Sequence, residues 1–112
     1  MRIKRKQNRI NFENSMSSLL KTLVRTRTNG IYDFCEDNKI EPMTLYRYMD
    51  AKSFDYFRVY TIIGLFGDDM KYIFRNELHH ALEEDDYPYQ DGVDLLRNEE
   101  YNVNRLYLNE QV

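Results

Sequence analysis

The chain predicts an all-α fold, five helices around one small core, and three observations carry that prediction. Apolar residues recur at spacings of three and four in separate stretches, turn-forming residues stand between those stretches, and a proline sits where a helix can begin. With 112 residues and 42% apolar content the chain can close one core, and its length requires no second independent domain.

Helix one is expected from about Asn14 to Arg27, where Met16, Leu19, Leu20, Leu23 and Val24 form one stripe and Ser15 or Ser17 can serve as cap. Thr28-Asn29-Gly30 is a turn signal. Tyr32 to Asn38 contains no breaker, and Phe34 and Cys35 give it a small apolar face, so a helix of about two turns ends around Asn38-Lys39. Pro42 has no N–H and a fixed φ, which suits the first turn of a helix starting near Glu41-Pro42. Ile40 is left as the apolar residue of the turn. Beyond Pro42, Leu45, Tyr48 and Met49 share one face, while Met43, Thr44, Tyr46 and Arg47 project from the other.

Ser53 can cap a fourth helix with Phe57, Tyr60, Ile63 and Phe66 inward, ending between Gly64 and Gly67. Asp68 or Asp69 caps a fifth. Its inward face is Met70, Ile73, Phe74, Leu78, Ala81 and Leu82, until Glu83-Glu84-Asp85-Asp86 and Pro88 end the pattern. Residues 87–112 form an extension in which Val93, Leu95 and Leu96 precede Tyr101, Val103, Leu106, Tyr107 and Leu108, readable as helix or, at Tyr101 to Leu108, as an alternating strand. Because five helices already complete a core by Leu82, the extension is either a flap or a self-association surface, and dimerisation is the expectation. The division is a basic N-terminal arm at 1–11, a helical domain at 12–86 and this extension at 87–112.

The run from Phe34 to Lys52, FCEDNKIEPMTLYRYMDAK, therefore reads as a short helix, a tight turn and a second helix. Such a unit serves mainly to hold a helix against the major groove of DNA. At these residues the chain resembles the Cro/repressor class, the lambda-repressor-like helix-turn-helix family, without a gap from Ile31 to Lys52 and more weakly over roughly residues 12 to 82. Cys35 falls where that family places a small residue at the helix crossing, Ile40 is the apolar turn residue, and Leu45 and Tyr48 take the two buried positions of the recognition helix. TLYRYM is the most family-like hexamer. Three positions depart from the pattern: Lys39 stands where the turn usually carries Gly, Ile31 replaces a phosphate-anchoring Gln, and Glu41 replaces a Ser or Thr cap. A carboxylate there suits the helix dipole but repels phosphate. The resemblance implies a sequence-specific double-stranded DNA-binding protein, a small transcriptional regulator of bacterial or phage type, acting as a homodimer on half-sites about 34 Å apart.

Net charge is −3, yet the sign is unevenly placed. Through Tyr60 there are twelve Lys and Arg against seven Asp and Glu; from Thr61 onward there are four against twelve. The first half is the anion binder. Arg2, Lys4, Arg5, Lys6 and Arg9 form the basic arm that would contact the DNA backbone; Lys21, Arg25 and Arg27 follow, with only Glu13 opposing them. Taken alone, such a run reads equally as a solubilising terminus.

Arg47 is the leading candidate for base reading, since a guanidinium on the exposed face can meet guanine O6 and N7. Met43 and Thr44 can touch a thymine methyl, and Tyr46 can bond a phosphate or stack on sugar. Tyr32, Lys39 and Lys52 are candidates for backbone phosphates. Ten Tyr residues are dispersed without an RNA-platform pattern. His79 and His80 point about 100° apart on a helix and cannot chelate together, and Glu77-x-x-His80 lacks the second copy that a di-metal bundle needs. Cys35 has no nucleophile signature around it. No catalytic constellation, metal site or cofactor is expected. The single Cys allows no intramolecular disulfide, the basic start has no apolar stretch behind it, and Val59 to Phe66 is too short to span a bilayer, so a cytoplasmic protein without a membrane role is expected. A second functional class is a protein-interaction module, an antitoxin or phage-encoded inhibitor, whose acidic half binds a basic partner through Glu83 to Asp86.

Overall fold

The computed structural model describes residues 2–84 and 89–98, with side chains at 7–83 and 89–98. Among the described residues the regular structure is all-helical, with six helices and no strand. α1 spans Arg2–Arg27, α2 Ile31–Asn38, α3 Pro42–Met49, α4 Tyr56–Gly64 and α5 Asp68–Glu84; α6 covers residues 90–98. Among the described residues, no helix is long and apolar enough to cross a membrane.

α1 packs against α2, α3, α4 and α5, and is the spine of the fold. It begins at Arg2, well before the expected Asn14, so the stretch read as an arm is helical and continuous with helix one. The reason is local and tertiary together. No Gly or Pro interrupts residues 2–27, and Phe12, four residues before Met16, carries the buried stripe of Met16, Leu20, Leu23 and Val24 one turn further. Ser15 and Ser17 are interior residues of this helix rather than caps, and Ser17 is buried.

α4 begins two residues later than a Ser53 cap would place it. Asp55 is the cap, its carboxylate accepting the Arg58 N–H at 3.0 Å. The inward face accordingly comprises Tyr56, Val59, Tyr60, Ile62 and Ile63, and Phe57 is turned out at 42% exposure. Phe66, just beyond the helix, stacks on Phe34 with ring centroids 5.4 Å apart. On α5, Met70, Phe74, Leu78 and Ala81 fill the stripe, Leu82 packs at its margin, and Ile73 lies outside it.

The core is not complete at Leu82. Tyr89, Leu95 and Leu96 are buried in it, and α6 lies so close to α5 that a Cβ on Gly92 would sit 3.0 Å from Leu78 Cδ1. The described part of the extension therefore covers the core of its own chain, which withdraws Leu95 and Leu96 from any self-association surface. Tyr101 to Leu108 lies outside the described residues.

Aromatic rings tie these layers together. Phe12 of α1 meets Phe74 edge-on at 5.2 Å, Tyr56 face-on at 5.8 Å and Phe54 at 6.0 Å, while Tyr60 meets Phe74 at 5.2 Å and Tyr56 meets Tyr89 at 5.8 Å. A polar clamp closes the edge of this cluster. Glu13 Oε2 accepts both the Tyr56 hydroxyl at 2.6 Å and the Arg9 Nε–H at 2.9 Å, and the Arg9 guanidinium lies 5.3 Å from the Tyr89 ring centroid. Burial, and then the bond to Glu13, push the Tyr56 phenol well above its ordinary value of 10.0.

Replacing Tyr56 with Phe removes one charge-assisted hydrogen bond and should lower unfolding stability by about 1–2 kcal/mol at neutral pH. The native chain holds the Tyr56 proton while the unfolded chain releases it, so the wild type loses this contribution as pH rises above about 10. Urea unfolding of both proteins should show the gap narrowing across that range; a gap constant with pH would contradict the assignment.

Candidate nucleic-acid interface

The α2–turn–α3 unit is set by how the two short helices end. Asn38 closes α2, and Lys39 follows in the left-handed conformation at φ 56 and ψ 45. Its N–H reaches the Glu36 carbonyl at 3.4 Å, and the Ile40 N–H reaches the Cys35 carbonyl at 2.9 Å, the paired bonds of a Schellman motif. Ile40, the apolar residue after the left-handed position, packs half-buried against the core. α3 ends the same way: Ala51 is left-handed at φ 57, with bonds from Ala51 N–H to Tyr48 O at 3.3 Å and from Lys52 N–H to Arg47 O at 3.0 Å. Glu41 precedes α3 as its cap residue but makes no side-chain cap bond, and Pro42 occupies the first turn. Gly30, at φ 130, opens α2 in a conformation closed to other residues.

These ends orient α3 by burying one side of it. Leu45 is fully buried and Tyr48 nearly so, Met49 packs at the core margin, and Phe34 and Cys35 of α2 complete the contact. The opposite side faces solvent. Met43 is 59% exposed, Arg47 is exposed, and Tyr46 retains 37%. Thr44 stands on the flank, lining a cleft of about 520 Å³ with Ile40, Tyr48, Phe57, Arg58 and Ile62. The outward row is thus Met43, Arg47 and a residue that sequence reading passed over, Asp50, three positions beyond Arg47 on the same side of the helix axis.

The expected backbone contacts divide into three groups. Tyr32, Lys39 and Lys52 are exposed at the ends of α2 and α3. Tyr32 lies beside Tyr46: partial burial, then the charge of and hydrogen bond with Tyr32, push the Tyr46 phenol above its ordinary value and make it a weaker acid. Arg9 is engaged within the chain by Glu13 and the Tyr89 ring, so its charge is already partly neutralised. Arg2, Lys4, Arg5 and Lys6 lie on the first turns of α1, and their side chains are outside the described ones.

Two further cations belong to the same surface. Lys21 and Arg25, one helical turn apart on α1, line a cleft with Tyr46, Met49 and Asp50 of the α3 end. Their i,i+4 spacing was visible in the sequence; their neighbour was not. Carboxylates are also at hand, since Asp33, Glu36 and Asp37 of α2 are exposed, as are Glu41 and Asp50. Between Ile31 and Lys52 five carboxylates oppose three cations, so the unit by itself is acidic.

Cys35 is buried at the helix crossing, and burial pushes its thiol up, away from the reactive thiolate. His79 and His80 are exposed on α5, and Glu77 and His80 line a shallow cleft with Asn8 and Asn11 of α1. Among the described residues no group of three or more His, Cys, Asp or Glu side chains could hold a metal ion. No family model, curated protein or solved structure matches the chain.

The left-handed Lys39 is strained relative to glycine by about 1–2 kcal/mol, partly offset by glycine's greater freedom in the unfolded chain. Lys39→Gly should therefore raise unfolding stability by roughly 0.5–1 kcal/mol in denaturant titrations. A loss of stability would mean that the turn takes another conformation.

Proposed function

We propose that the chain is a sequence-specific double-stranded DNA-binding protein, a helix-turn-helix domain of the lambda-repressor-like kind that lays α3 in the major groove and acts as a small transcriptional regulator. The observation that supports this most is the α2–turn–α3 unit. Its left-handed Lys39 turns the chain so that Leu45 and Tyr48 are buried while Met43 and Arg47 stand together in solvent. Arg47 is the base reader in this proposal, Met43 the apolar contact and Tyr46 a sugar-phosphate contact, with Thr44 at the groove wall.

Phosphate neutralisation falls to Lys39 and Lys52, at the C-terminal ends of α2 and α3, and to cations outside the acidic unit. Among the latter, α1 carries Arg2, Lys4, Arg5 and Lys6 on a helix rather than on an extended arm. A helical segment presents its cations to one stretch of backbone instead of wrapping the duplex. Pairing of two copies on a two-fold site is part of the proposal, as the geometry of this class requires dimers for paired half-sites.

The exposed Asp33, Glu36 and Asp37 on α2 favour a second reading, an interaction module for a basic protein. Retention of a stoichiometric protein partner from host lysate, with no duplex preference, would select it.

Selection from a random duplex pool at fixed salt should enrich a defined, palindromic sequence. Arg47→Ala should then lose about 1–3 kcal/mol of discrimination at one base pair. Unchanged preference would remove the reading mechanism. Deleting residues 2–6 should weaken binding to all duplexes alike and flatten the salt dependence; an unaltered slope would take those cations out of the interface.

A further inference from the structure

We infer that the cleft between α1 and α3 is a binding site for a small organic anion with an apolar body, such as an aryl carboxylate. The cleft measures about 450 Å³, the size of a small-ligand site, and three of its lining residues form an apolar floor. Val24 is buried, and Ile31 and Met49 are half-buried. The rim is polar and convergent: Lys21 and Arg25 approach from α1, Tyr46 and Asp50 from α3.

Charge decides the ligand class. Two cations face one carboxylate across the cleft, and among the described residues none of Lys21, Arg25 and Asp50 forms an ion pair. The cations thus keep their donors for a ligand. An anionic head between Lys21 and Arg25 would gain charge-assisted hydrogen bonds, while a ring would displace water from Val24, Ile31 and Met49. Asp50 opposes the head, so its charge limits affinity for a simple carboxylate.

Tyr46 belongs both to this cleft and to the outer side of α3. A ligand held there fixes its ring and occupies the flank that a DNA strand would approach. That regulatory consequence rests on the duplex-binding reading; the anion site itself does not.

The test is an amide-resolved NMR titration of the full chain with benzoate and, separately, with uncharged benzyl alcohol. Benzoate should produce saturable shifts concentrated at Lys21, Arg25, Ile31, Tyr46 and Met49, and benzyl alcohol should bind roughly tenfold more weakly. The Lys21→Gln/Arg25→Gln variant should weaken benzoate by a similar factor, and Asp50→Asn should tighten it. These exposed or half-exposed positions lie outside the core, and the neutral analogue gives the comparison without any variant. Scattered or non-saturating shifts, equal binding of the two probes, or an affinity indifferent to all three side chains would overturn the site. A subsequent duplex competition reads the regulatory step. Failure there with intact benzoate binding would count against the DNA reading or its coupling, not against the anion site.

Discussion

The contact on which this fold depends is Phe12 of α1 set among Phe54, Tyr56 and Phe74. It is the point where the spine helix is fastened to the α4–α5 pair. Burying one such ring contributes about 1.5–3 kcal/mol, and ring-ring geometry adds to that. Because α1 also packs on α2 and α3, fixing α1 at this end fixes the surface on which the short helices rest. Two helices of eight residues are too short to persist in isolation; their structure is lent by α1 and by the buried Leu45 and Tyr48.

Around that anchor the chain places its polar groups economically. Glu13 takes bonds from Tyr56 and Arg9 and so joins α1 to α4, while Arg9 also covers Tyr89. A residue counted among free cations in the linear chain is thereby a structural clamp. The half-exposed Lys21 and the exposed Arg25, beside α3, gather on the side of α1 that its buried stripe leaves open. Electrostatics of the candidate interface is therefore a property of two elements brought together, α1 supplying positive charge to an acidic α2–α3 unit.

The strained turn has a related logic. A lysine in the left-handed region costs free energy that glycine would spare, and the cost is met by two backbone bonds and by Ile40 reaching the core. A second left-handed residue, Ala51, ends α3 in the same manner. The C-terminal ends of α2 and α3 are thus both closed by left-handed backbone geometry at residues other than glycine. The result is a short helix whose outward row is Met43, Arg47 and Asp50.

Several features were legible in the residues themselves: the bounds of α2 and the start of α3, from the absence of breakers and the position of Pro42; the burial of Leu45 and Tyr48 and the exposure of Met43 and Arg47, from helical period; and the all-helical class. Others required the folded chain. Phe12 extends α1 because partners from α4 and α5 surround it, the α4 face turns Tyr56 and not Phe57 inward because Tyr56 packs against Phe12, Phe54 and Tyr89, and Leu95 and Leu96 turn inward because Leu82 leaves the core open. Local period and propensity act over a few residues and so determine elements and their faces. Which faces meet, which charges are neutralised and which remain beside α3 depend on contacts between residues far apart in the chain, such as Glu13 with Tyr56, and only the tertiary structure decides them.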